Sequence, residues 1–574
     1  MLKRELNFLV ILSLILWMLA ACVKVAENPE DGDDTDVYNY DTSIVVQVNL
    51  NGSSITVVPD VATVSGTKVT LKSAGTYKIT GNLTDGQVVV NANNSGNVRL
   101  ILNGANIKCS TSAPIYIKDA DKALINLADG TVNTLTDGTS YVTDQNGEPN
   151  AALFSDAELE INGEGSLNVT ANFNDGISSD DGLVIKSGTI TVKSADDGIR
   201  GKDYLIIQDG KITVNSTGDA LKSDNETDIS KGYIIIDSGT LSLTATAGDA
   251  ADAVTNLTVD GGIFNIITGG GAGTSTGGGG GGMPGGGSSG GYSGTISEKA
   301  LKGNISVKIE KGTFTINSAD DAIHSNGTVT INDGTINIAT GDDAVHAESS
   351  VTINGGTLNI TKSFEAIESA SITVNKGNVT LVATNDGFNA TRGSGGEAND
   401  GSILTFNGGY VVADVSSGDG LDSNGNIVMT GGTVIVHGPQ SAPEVAFDFN
   451  GTFTISGGIL IGGGPNSGNM IEVPGSTSSQ YCIKATSSSN VSASTIFHIQ
   501  DASGNDVVTF KPVRSTYYFA FSSAQLTNGS SYSIYTGGSS TGVNTDGLYT
   551  GGTYSGATLK KTFTISSKIT SVTF

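Results

Sequence analysis

The octapeptide Ser318-Ala-Asp-Asp-Ala-Ile-His-Ser325 returns 22 residues later as Thr340-Gly-Asp-Asp-Ala-Val-His-Ala347, and again after 22 more as Lys362-Ser-Phe-Glu-Ala-Ile-Glu-Ser369. Earlier copies stand at Ser194-Ala-Asp-Asp-Gly-Ile-Arg-Gly201 and Thr217-Gly-Asp-Ala-Leu-Lys-Ser223. Self-similarity at this period is the signature of a solenoid, in which each repeat is one supersecondary unit that buries its apolar face only against its neighbours. The copies share a glycine followed by an alternating run, as in Gly188-Thr-Ile-Thr-Val192, Gly312-Thr-Phe-Thr-Ile316, Gly334-Thr-Ile-Asn-Ile338 and Gly356-Thr-Leu-Asn-Ile360. Period-two alternation puts aliphatics on one face of a strand and Thr, Ser or Asn on the other.

Shorter runs such as Val329-Thr-Ile331 and Val351-Thr-Ile353 precede each glycine, and the Asp-Ala-Ile box supplies a third side. Three short strands and three turns in 22 residues describe one coil of a parallel β-helix. A leucine-rich repeat has a similar period but needs a Leu-x-x-Leu-x-Leu frame. Here the aliphatics are mostly Ile and Val, and no 3.6-residue period accompanies them. The fold class is therefore all-β, a right-handed parallel β-helix, over residues 43–474.

Two glycine-rich stretches interrupt the repeat, at 269–294 and at Arg392-Gly-Ser-Gly-Gly-Glu-Ala-Asn399. Neither can pack a core, so both are expected to leave the stack as loops. Residues 475–574 lose the repeat and gather aromatics (Tyr481, Phe497, Phe510, Tyr517 to Phe519), which reads as a β-rich cap over the open last coil. At the other end, Lys3 and Arg4 precede an apolar run from Leu6 to Leu19 that ends in Leu19-Ala-Ala-Cys22. This predicts an export signal over 1–22, with lipidation at Cys22 and a bacterial lipoprotein of the outer membrane or cell surface. Residues 23–42 are acidic and polar and are expected to be a disordered tether. The remaining cysteines, Cys109 and Cys482, imply no disulfide framework.

Stacked coils turn the box into columns of side chains about 4.8 Å apart. The acidic column reads Asp175, Asp197, Asp219, Asp252, Asp321, Asp343, Glu365, Asp386, Asp419, doubled by Asp196, Asp320 and Asp342. Three residues on, a second column reads Arg200, Lys222, Thr255, Lys302, His324, His346, Glu368. Neighbouring carboxylates at that spacing repel by roughly 3–4 kcal/mol at an effective dielectric near 20, so the column needs raised pKa values, basic partners or bound cations. Calcium suits carboxylate and carbonyl oxygens in loose geometry. Aspartate is also a common turn former, so a purely structural role stays open for each. The histidine pair is a weak pointer to a transition metal.

With 57 acidic against 30 basic residues and a formal net charge of −27, the chain repels nucleic acid and anionic membrane. Its one tryptophan, Trp17, lies in the signal segment, so binding of neutral glycans by stacking on Trp is excluded. Any glycan partner is expected to be acidic and held through charge, calcium and hydroxyl groups.

The coil Asp-Asp-(Gly/Ala)-Ile-(His/Arg)-(Ser/Gly) followed by Gly-Thr-Ile-x-Ile resembles the cell-surface β-helix carbohydrate-binding family first described in cellulolytic clostridia. So do the loop Gly282-Met283-Pro284-Gly285 and the tail elements Val508-Thr-Phe-Lys-Pro512 and Tyr532-Ser-Ile-Tyr535-Thr-Gly-Gly538. The resemblance implies a pectate-lyase-like β-helix that binds calcium and an acidic plant-wall polysaccharide such as polygalacturonate. It carries the calcium ligands onto Asp196, Asp197, Asp219, Asp320, Asp321, Asp342 and Asp343. The substrate contacts would then be Arg200, Lys222, Lys302, His324 and His346. Glu365, and Ala251 before Asp252, depart from the doubled-acid pattern and count against metal at those coils. The expected protein is a monomeric, non-catalytic binder, touching the membrane through its lipid alone. Two other classes remain: a polysaccharide lyase using Arg200, Lys202 or Lys222 as base, and a surface adhesin or structural spike.

Overall fold

The structure is a computed structural model, and it describes residues 45–93, 96–143, 145, 147–273, 295–393 and 398–574. The signal segment with Cys22, the tether 23–42, most of the loop 269–294 and part of the second loop lie outside the described residues.

Each coil consists of three strands, as the spacing predicts. In the central coil these are Ile323–Ser325, Thr328–Ile331 and Thr335–Thr340. All three pair in parallel with their counterparts one coil on, with Ile323 opposite Val345, Thr328 opposite Ser350 and Thr335 opposite Thr357. The three-residue strands stack, with four- and five-residue counterparts in the first coils, into a sixteen-stranded sheet, and the two longer sets join a thirty-three-stranded one. The parallel β-helix is thus the observed architecture. Its interior is a continuous column of Ile, Val, Leu and Phe, with Ile323, Val329 and Phe314 fully buried. Phe264 and Phe314, on adjacent coils, stack with ring centroids 4.4 Å apart and planes 4° from parallel.

The glycine that opens each long strand is a backbone requirement. Gly334 has φ +120°, and a Cβ there would lie 2.9 Å from the carbonyl oxygen of Gly312 one coil below. Both constraints repeat at Gly356, so glycines stack on glycines. A neighbouring turn is stitched by an amide ladder. Asn354 donates to Asn332 at 2.8 Å, Asn375 to Asn354 at 2.8 Å, and Asn407 to Asn375 at 2.9 Å.

Both ends of the stack are closed by antiparallel strands, which satisfies the edges a solenoid would otherwise expose. At the start, Val45–Gly52 pairs with Ile55–Val58, and Thr63–Ser65 with Lys68–Leu71. At the end, Thr516–Ser522 runs antiparallel to the last coil strand, Ile459–Gly464, and to Cys482–Val491. One face of this extension completes the main core through Tyr518 and Ala520. The other face, with Phe519, Phe521 and Ile483, packs against a six-stranded sheet through Phe497, Phe510 and Ile534. The C-terminal region therefore also grips the flank of the last coils, where Val412, Ile435 and Ile461 point outward into the same cluster. Arg514 locks the junction by donating to the carbonyls of Val415, His437 and Gly438 at 2.8, 2.8 and 2.9 Å, and by pairing with Asp414. Cys109 and Cys482 are buried and free.

Candidate functional site

The short strands of the box have one outward side chain each, because their first and third residues face the core. Register pairing writes that outward column as Ser178, Arg200, Lys222, Asp252, Lys302, His324, His346, Glu368, Asn389 and Asp422. This corrects the sequence-derived alignment at one coil. Asp252, not Thr255, stands between Lys222 and Lys302, and Asp249 takes the place assigned to Asp252 in the acidic column. The coils on either side of this step differ in length, with 30 residues separating Asp219 from Asp249. The usable signal was the match of Gly248-Asp249-Ala250 to Gly218-Asp219-Ala220. In the following coil Lys299 occupies the acidic position, its backbone N–H donating to Asp249 Oδ1.

The acidic column does two things at once. One oxygen of Asp197, Asp219, Asp249 and Asp321 accepts the backbone N–H of the equivalent residue one coil on. Asp219 donates to Asp197 Oδ1 at 2.9 Å, Asp249 to Asp219 Oδ1 at 2.8 Å, Lys299 to Asp249 Oδ1 at 2.7 Å, and Asp343 to Asp321 Oδ1 at 3.2 Å. The turn-forming role is therefore real. The second oxygen faces the outward column, and there the charge balance changes along the stack.

In the first half the carboxylates have cations. Lys222 Nζ lies 3.0 Å from Asp197 Oδ2 and 2.9 Å from Asp219 Oδ2. Lys302 Nζ lies 3.0 Å from Asp249 and 3.1 Å from Asp252, and Arg200 bridges Asp180 and Asp224 at 3.1 and 3.0 Å. Burial opposes the charge on Lys222, yet Asp219 and Asp197 outweigh it and raise its pKa. Arg200 is raised in the same way by Asp224 and Asp180. These groups are held protonated, which disfavours them as bases for proton abstraction and occupies them within the protein. Lys202 takes part in the sheet through its backbone, donating to the Ser179 carbonyl. Burial, only partly offset by Lys222, pushes Asp197 up to about 6.

The central coils bring Asp320, Asp321 and Asp342 together, with ligand atoms within 4.8 Å of one another. Lys299 Nζ sits 2.7 Å from Asp320 and 3.3 Å from Asp321. His324 Nδ1 contacts Asp321 Oδ2 at 2.8 Å, and His346 Nδ1 lies 3.6 Å from both Asp321 and Asp343. Burial works against the Asp321 carboxylate, but hydrogen bonds from His324 and His346 and the charge of Lys299 hold it well below its usual range. The doubled aspartate Asp196 is not brought into such a group among the described residues.

One coil further the balance fails. Asp343, Glu365 and Glu368 place three carboxylates within 4.8 Å of one another, and among the described residues their ion pairs run to His346. Burial, then the neighbouring Glu365, pushes Glu368 up to about 9. Burial with Glu365, Asp321 and Glu368 raises Asp343 well above the carboxylate range. Asn389 and Asn385 donate to Glu365 at 2.8 and 2.9 Å and fix its orientation. A hard divalent ion fits this all-oxygen set better than the lysine-paired coils upstream. The trio includes the two glutamates whose coil departs from the doubled-acid pattern.

Residues 65–344 match the family model described as carbohydrate-binding domain-containing protein. A carbohydrate-binding domain-containing protein of Acetivibrio thermocellus is 38% identical over 165 residues, 28% of this chain and 54% of the relative. The chain thus spans about half the length of the curated relative it matches. A solved structure described as a polysaccharide lyase-like protein from C. thermocellum, a gadolinium derivative, is 34% identical. That match covers 40% of this chain and 92% of the other, with a TM-score of 0.39.

Proposed function

We propose, from the match of residues 65–344 to the carbohydrate-binding domain-containing family model, that this protein is a calcium-dependent, non-catalytic receptor for an acidic polysaccharide such as polygalacturonate. The observation that carries the reading is the carboxylate trio Asp343, Glu365 and Glu368, whose shared negative charge a divalent ion would neutralise. Calcium held there would keep coordination positions open for uronate carboxylates, so one ion would bridge two sets of oxygens. Upstream, Arg200, Lys222 and Lys302 act in this reading as internal counter-ions that let the column stack. The glycan approaches instead from the acidic half of the column, through His346 and the bound ion.

The same proposal keeps the anchor at Cys22, supported by the apolar run Leu6 to Leu19 and the box Leu19-Ala-Ala-Cys22. In this arrangement the acidic tether would hold the β-helix away from a like-charged membrane.

The test is retention of the protein on immobilised polygalacturonate with calcium and with a chelator, beside ultraviolet absorbance of the soluble glycan for unsaturated product. Retention is expected with calcium alone and is expected to be lost in Glu365→Gln with Glu368→Gln. Retention that survives the chelator removes calcium from the reading. Release of unsaturated product makes the protein a lyase.

A further inference from the structure

The coil before the carboxylate trio differs from it in chemistry. His324 and His346 face each other across adjacent strands, with ring centroids 5.0 Å apart and planes at 83°. Both turn Nδ1 toward the same carboxylate oxygen, Asp321 Oδ2, at 2.8 and 3.6 Å, and Asp343 Oδ2 lies 3.6 Å from His346 Nδ1. The ligand atoms of Asp321, His324 and His346 all fall within 4.8 Å of one another. Donors on one tetrahedral ion with bonds near 2.1 Å are separated by roughly 3.4 Å, between the 2.8 and 3.6 Å at which the two Nδ1 atoms already face Asp321 Oδ2.

An ion here would compete with Lys299 Nζ, 3.3 Å from the same Asp321 Oδ2, which can rest on Asp320 at 2.7 Å instead. Asn326 Oδ1 lies 3.0 Å from His324 Nε2, and an amide oxygen there accepts the Nε2 proton and leaves Nδ1 as the metal-binding nitrogen. The histidine side chains are 12% and 22% exposed, which gives an ion a path, while Asp321 is buried beneath them.

We propose that Asp321, His324 and His346 form a site for a borderline transition-metal dication such as zinc. It is separate in donor chemistry from the all-oxygen trio one coil further. Imidazole nitrogen selects zinc, copper or nickel, whereas carboxylate oxygen alone suits calcium. The ladder thereby sorts two classes of cation by donor type on neighbouring rungs.

The experiment is calorimetric titration of the chelator-treated full chain with zinc alone and, separately, with calcium alone. Saturable zinc binding near one equivalent is expected, weakened at least tenfold by His324→Ala and by His346→Ala, with the calcium response retained in His324→Ala. Glu365→Gln with Glu368→Gln should do the reverse. His346→Gln, a side chain of similar reach, replaces the alanine variant should that one fail to fold. Zinc affinity unchanged in the histidine variants, or no saturable zinc binding by the parent chain, overturns the assignment. Loss of calcium binding alone would overturn the glycan-receptor reading and leave this one standing.

Discussion

Glu368→Gln tests the charge imbalance directly. In the unfolded chain Glu368 ionises near its ordinary value of 4.5, whereas burial and Glu365 move it to about 9 in the fold. A group whose folded pKa is raised stabilises most below its unfolded value, and that stability is lost as pH rises through the folded value. At pH 7, without a cation, folding must therefore draw a proton onto Glu368. At about 1.4 kcal/mol per pH unit over the interval from 4.5 to 7, this costs about 3 kcal/mol, falling below about 1 kcal/mol at pH 5. Glutamine needs no proton. The variant is expected to be about 2–3 kcal/mol more stable than the parent at pH 7 in chelator, and nearly equal to it at pH 5. Burial opposes the charge on His346, but Asp321 and Glu368 raise it to about 9, so its contribution is full below about 6.5 and its loss adds to the parent's decline from there to 9. The assay is urea unfolding at both pH values, with and without calcium. Calcium at a hundred times its dissociation constant should recover about 2.7 kcal/mol in the parent and much less in the variant. Equal stability of parent and variant at pH 7, or a variant less stable there, would falsify the uncompensated-carboxylate account.

Further outcomes concern the scaffold. Gly334→Ala should lose about 1–3 kcal/mol, read from the urea midpoint, because it adds a Cβ at φ +120° and 2.9 Å from the Gly312 oxygen. An unchanged midpoint would remove the steric reason for the glycine stack. Phe314→Ala removes a fully buried ring stacked on Phe264 and should cost about 3–5 kcal/mol. Arg514→Met leaves the Val415, His437 and Gly438 carbonyls without their donor and should speed proteolysis between the last coil and the C-terminal sheets. A variant as resistant as the parent would place the strength of that junction in the Phe497 to Phe519 cluster instead.

Much of this molecule is written in local pattern. Alternation at period two and the return of Gly-Thr-Ile every 22 residues determine which side chains enter the core, because both are properties of single strands and turns. The same pattern predicted the parallel β-helix, the three strands per coil and a second column three residues after the acidic one. Composition alone located the two glycine-rich interruptions.

Which charges meet was decided by the tertiary structure. A column is an alignment between coils, and the coils are unequal, with 30 residues between Asp219 and Asp249 and 33 between Asp386 and Asp419. Those steps put Asp252 among the basic residues and Lys299 among the acidic ones, where it pairs with the doubled aspartates Asp320 and Asp321. They also leave the imbalance at Asp343, Glu365 and Glu368, where the motif is most degraded. Sequence spacing reports neighbours along the chain. Electrostatics acts between neighbours in space about 4.8 Å apart, and only the folded stack states who they are.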